Sequence, residues 1–130
     1  MNTQRLNELA ERLMEIPQQL FDLQTDLMNL NTNSQELSNS MSEAESILKI
    51  QISNMVDENG KKLYSNAESR SAAFIEMSKS DDNIQSISGE LQDIQLEIQK
   101  LKIDIECVSN EQRNIRSILH FFSDKMTEEL

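Results

Sequence analysis

Apolar residues recur along this chain in alternating steps of three and four, in two separate stretches. The first runs Leu6, Leu9, Leu13, Ile16, Leu20, Leu23, Leu27 and Leu30, skips Ser34, and resumes at Leu37, Met41, Ala44 and Leu48. The second runs Ile84, Ile87, Leu91, Ile94, Ile98, Leu101, Ile105 and Val108, skips Gln112, and continues through Ile115, Leu119, Phe122 and Met126. Such spacing keeps one stripe of an α-helix facing a partner helix. It predicts an all-α fold, a long antiparallel helical hairpin of coiled-coil type. Ser34, Gln51 and Gln112 put polar groups where the ladders expect apolar ones. Each can either fix register or mark a hydrated seam.

Element boundaries follow from the local chemistry, within a single helical domain over residues 1–130. Helix one covers residues 1–55, with a kink or break expected near Pro17, whose ring clashes with the preceding turn and which lacks a backbone donor. The ladder keeps its phase across Pro17, which favours a kinked but continuous helix. Residues 56–81 form a connector. Within it Asn59-Gly60 tolerates positive φ and marks a reversal, as a small hairpin or an ordered loop. Ser65-Asn66-Ala67-Glu68 reads as a capping box, with Ser65 as the cap. It predicts a short helix from Asn66 to Ser78 that can pack Ala72, Ala73, Phe74 and Met77. Ser80-Asp81-Asp82 starts the last helix, residues 82–128, with its acids at the positive end of the helix dipole.

A hairpin needs one stripe per helix, yet further apolar residues lie beside the ladders. Met14, Phe21 and Met28 follow ladder residues by one position, and Leu96 and Ile103 precede them by two. Extra stripes call for another neighbour, most economically a second copy of the chain, so the hairpin is expected to oligomerise.

Composition agrees with long exposed helices: 2 Gly, 1 Pro, no Trp and 4% aromatic residues leave little for a multilayered core. The net charge of −11 disfavours non-specific binding to nucleic acid or anionic membrane. The charge is uneven, because no Lys or Arg occurs between Leu13 and Leu48, where Glu15, Asp22, Asp26, Glu36, Glu43 and Glu45 stand alone. Basic residues gather around the connector as Lys49, Lys61, Lys62, Arg70 and Lys79. Others sit at the two ends, where Arg5, Arg12, Arg113, Arg116 and Lys125 can be neutralised by Glu8, Glu11, Glu128 and Glu129. A single cysteine excludes an intrachain disulfide. With no apolar run of membrane length and no signal peptide, the chain reads as cytoplasmic, with no membrane partner.

No catalytic constellation can be assembled, so no enzyme activity and no cofactor or metal is expected. His120 is the sole histidine. Cys107 lies almost four turns from it on the same helix, out of reach within one chain. Cys107 reads as a small buried apolar residue and His120 as an ordinary surface or interface residue. Asn59-Gly60-Lys61-Lys62 has one glycine and is no phosphate loop. The connector cluster of Lys61, Lys62 and Arg70 with Tyr64 could meet a phosphate backbone, although physics alone favours a solvated tip.

The connector Asp57-Glu58-Asn59-Gly60-Lys61-Lys62-Leu63-Tyr64-Ser65-Asn66-Ala67-Glu68-Ser69-Arg70 adds a resemblance. With Leu101–Glu106 and Arg113–Leu119, it resembles small helical proteins of phages and mobile elements similar to UvsY-type recombination mediators. The resemblance covers most of the chain in layout and about twenty residues in motif. It implies an oligomeric, non-enzymatic accessory of DNA recombination. Its partners would be a RecA-like recombinase, a single-strand-binding protein or single-stranded DNA, met through Lys61, Lys62, Tyr64, Asn66 and Arg70. The alternative is a structural coiled-coil adaptor or scaffold with no nucleic-acid role.

Overall fold

The computed structural model describes the backbone of residues 2–129 and the side chains of residues 2–125. Ladder residue Met126 and the expected charge partners Glu128 and Glu129 fall outside the described side chains. Three helices follow one another: α1 (Thr3–Asn54), α2 (Ala67–Ser78) and α3 (Asp82–Glu129). Among the described residues there is no strand, only one antiparallel bridge between Val56 and Lys62. α1 runs unbroken through Pro17. Losing one backbone bond there is offset by packing on both sides, where Ile16 is fully buried and Leu20 half-buried.

The chain forms two compact units, one of Met1–Leu30 with Glu97–Leu130 and the other of Asn31–Leu96. In the first, the early part of α1 lies antiparallel to the late part of α3. Leu9, Ile16, Val108 and Ile115 form its buried core, flanked by Leu13, Leu20, Leu23, Ile118 and Leu119. Arg12 grips Glu111 across this seam with a side-on fork, Nε to one carboxylate oxygen and Nη2 to the other at 2.9 Å. Two aligned bonds fix the pairing of the helices better than a single exposed contact would. Half-buried Gln19 has an Oε1 with no hydrogen-bond partner in the structure.

The second unit has three walls. Ala44, Leu48 and Ile52 from α1 meet Ala73 from α2 and Ile84 and Ile87 from α3. Leu37, Met41, Tyr64, Phe74, Met77 and Leu91 pack around them. Polar Ser34 stays within the ladder because its hydroxyl accepts from Gln95 Nε2 on α3 at 3.1 Å. The ladder does depart from strict register at its end. Gln51 is exposed, and Ile52, only 1% exposed, takes the core position. A straight helix turns 3.6 residues per turn, so a 3.5-residue stripe drifts until a step of four restores it.

All three described helix starts are capped by side chains; at α1, Asn2 Oδ1 accepts from the Arg5 amide at 2.8 Å. Asn66 caps α2 in an extended conformation, accepting from the Ser69 amide at 2.8 Å, while Ser69 Oγ accepts from the Asn66 amide. The capping box therefore sits one residue later than the Ser65–Glu68 pairing expected from sequence. Asn ranks with Ser as a cap, and the short Ser69 hydroxyl closes the box in place of Glu68. At α3, Asp81 Oδ1 accepts from the Ile84 amide at 2.9 Å.

Candidate functional site

The connector is an ordered small hairpin. The Gly60 amide donates to the Asp57 carbonyl at 3.0 Å, and the Asp57 amide donates to the Lys61 carbonyl at 2.8 Å. Gly60 adopts φ +78°, the left-handed conformation that closes such a turn, while Asn59 keeps negative φ. The Asp57 carboxylate accepts from the amides of Asn59 and Lys61 at 2.9 and 3.0 Å. Its charge is thereby committed to the loop backbone.

The five connector residues singled out by sequence fall into different environments. Lys61 and Lys62 are exposed, and among the described residues neither ammonium lies within ion-pair distance of a carboxylate. Tyr64 is half-buried against the three-helix core, and Asn66 is occupied as the α2 cap. Half-buried Arg70 donates from Nη1 to the Tyr64 carbonyl at 3.4 Å, which ties the two together. The tyrosine ring is thus partly covered and the asparagine's Oδ1 is occupied, although Asn66 itself is exposed.

Sequence reasoning missed a groove beside this hairpin. It has a volume of about 500 Å³ and lies between the end of α1 and α2, lined by Lys49, Ile52, Ala67, Arg70, Phe74 and Ile75. Lys49 Nζ stands 5.0 Å from the centre of the Phe74 ring, within cation–π range. Ile75 is 58% exposed at the rim. Two cations flank an apolar floor, and among the described residues neither forms an ion pair. The signal available in sequence was slight: Lys49 and Phe74 lie far apart in the chain and meet only after the hairpin returns α2 to α1.

The outward apolar residues are all exposed: Met14, Phe21 and Met28 on α1, Leu96 and Ile103 on α3. Ile47 and Ile50, which the ladders passed over, join them. Cys107 is exposed, contrary to the buried role expected of it. Its neighbour Val108 takes the seam, and one step along a helix turns the side chain about 100° away. Exposed His120 lies 3.3 Å from Asp124. Among the described residues no group of three or more His, Cys, Asp or Glu side chains is arranged to hold a metal ion. No described helix is long and apolar enough to cross a membrane.

The Arg12–Glu111 ion pair shifts both its members. Hydrogen bonding to Glu111 raises Arg12 above its usual range, and the same bond lowers the Glu111 carboxyl. No protein family, curated protein or solved structure matches this chain.

Proposed function

We propose that this chain is a non-enzymatic helical accessory protein that self-associates and presents its ordered connector to a partner. The observation that carries this reading is the pairing of a hairpin closed by its own backbone bonds with Lys61 and Lys62, which are exposed and form no ion pair among the described residues. A loop held by its own backbone bonds loses little entropy on docking, so its lysines are prepositioned for an anionic surface. The connector's resemblance to UvsY-type mediators makes phage-type DNA recombination the proposed setting. The partner is then single-stranded DNA, a single-strand-binding protein or a RecA-like recombinase. The net charge of −11 works against autonomous binding to a polyanion, so a protein contact accompanies or replaces DNA contact.

A second reading, a structural coiled-coil adaptor with no nucleic-acid role, is favoured by the engagement of Tyr64 in the core and of Asn66 in the cap. Binding to a single-stranded oligonucleotide across a salt series separates the two. The mediator reading with direct DNA contact expects weak, salt-sensitive binding, and a flatter salt dependence in the double variant Lys61→Glu, Lys62→Glu. No binding at low salt removes direct DNA contact. Failure to capture either a recombinase or a single-strand-binding protein would then leave the adaptor.

A further inference from the structure

We propose that the groove between the end of α1 and α2 in one copy receives the acidic, apolar stripe of α1 from a second copy. This rests on the self-association proposed above and names the surfaces that meet.

The two surfaces are complementary in charge and in shape class. On the stripe, Met14, Phe21 and Met28 are 82%, 63% and 62% exposed. Asp22 and Glu15 each follow a stripe residue by one position, Glu15 lying 3.7 Å from Arg12 Nη1, and from Met14 to Ile47 the chain has no Lys or Arg, so Asp22 carries the stripe's free charge. In the groove, Lys49 and Arg70 carry the charge beside the apolar surface of Phe74 and Ile75, with Ser53 and Ser71 between and the buried Ile52 offering almost no surface. Among the described residues these cations remain unpaired in a chain with 23 acidic side chains. An amphipathic helix laid in a groove anchors through one or two bulky side chains. Phe21 is the bulkiest on the stripe, and the Asp22 carboxylate beside it is held by Gln18 Nε2 at 2.9 Å. Arg70 spends one N–H on the Tyr64 carbonyl and keeps others of its fork for such a carboxylate.

The alternative contact, stripe against stripe around a two-fold axis, brings Asp22 and Asp26 against their own copies with no Lys or Arg between Leu13 and Leu48; of the stripe's acids only Glu15 has a cation at hand, Arg12 Nη1 at 3.7 Å. Like charges placed together oppose association, whereas stripe into groove pairs opposite signs. The contact is heterologous, so copies join head to tail and close into a ring or extend. A nucleic acid is the poorer occupant, because one face of the Phe74 ring is taken by Lys49 and only two cations line the groove.

Sedimentation of the full chain, at low salt and with helicity checked by circular dichroism, provides the test. A groove-reversed variant (Lys49→Glu with Arg70→Glu) and a stripe-reversed variant (Glu15→Lys with Asp22→Lys) should each weaken assembly on the order of tenfold or more. An equimolar mixture should restore it, because each reversed surface then finds its opposite. Lys49→Glu alone and Phe21→Gln, both at exposed positions, give the same direction should a double variant fail to fold. If Phe21→Gln abolishes assembly while folded groove variants assemble like wild type, or if mixing restores nothing, the groove proposal falls and stripe-mediated association stands. A wild type that stays monomeric overturns both.

Discussion

The two units meet the same burial problem with different numbers of helices. In the unit of Met1–Leu30 and Glu97–Leu130, α1 and α3 have only each other. Each closes one stripe, and Met14, Phe21 and Met28 of α1's second stripe are mostly exposed. In the unit of Asn31–Leu96, α2 supplies a third wall, with Ala73 in the core and Phe74 and Met77 packed on it. Unit two also pairs its polar ladder position, Ser34 with Gln95, whereas unit one leaves Gln19 Oε1 unpaired. A third neighbour thus adds core, although Ile47, Ile50 and Leu96 stay exposed in this unit too. Where the chain provides none, the stripe stays exposed, and we propose that another molecule covers it.

The largest effect that sharpens this contrast comes from truncating the two deepest side chains, Ile16 and Ile52. Ile→Ala in a packed core costs about 2–5 kcal/mol, more where the site cannot collapse. Ile52→Ala, enclosed by three helices, should cost about 4 kcal/mol. Ile16→Ala, in a two-helix seam free to close up, should cost about 3 kcal/mol. Urea unfolding followed by circular dichroism measures both, and a reversed order breaks the comparison.

A smaller and opposite pair of effects separates connector from helix. Gly60 has positive φ and open space around its missing Cβ, so Gly60→Ala carries only the conformational cost, about 1 kcal/mol of destabilisation. Gly89 lies inside α3 with open space as well, so Gly89→Ala should stabilise by about 0.5–1 kcal/mol. Thermal melts of the two variants should shift in opposite directions.

The smallest effect is on pH. Arg12 holds Glu111 below its usual value of 4.5, so the pair's contribution is present at neutral pH. It fades as pH falls through the lowered value in the folded state. Glu111→Gln should therefore melt slightly below wild type at pH 7, with the gap narrowing as pH falls below 4.5. A gap that widens on acidification contradicts the assignment.

Much of this fold was legible because the core residues carry a period. Each described apolar residue of the two ladders, from Leu6 to Leu48 and from Ile84 to Phe122, is buried or half-buried. Errors of one position arose where the period alone could not decide. Gln51 and Ile52 exchange roles because a straight helix drifts against a seven-residue repeat. Asn66 displaces Ser65 because two good caps stood side by side. Cys107 was misjudged from its apolar character, when its place beside Val108 put it on the outer face. The groove was not legible, since Lys49, Arg70 and Phe74 come together only through the hairpin at Gly60. The same hairpin sends Tyr64 inward, an outcome that composition could not distinguish from an exposed ring.

The most direct test of the account is the mass of the wild-type chain in dilute solution at low salt. An open stripe and an unpaired cationic groove predict a concentration-dependent mass above 15.0 kDa that falls when salt is raised. A single species of 15.0 kDa at every concentration and salt would contradict it.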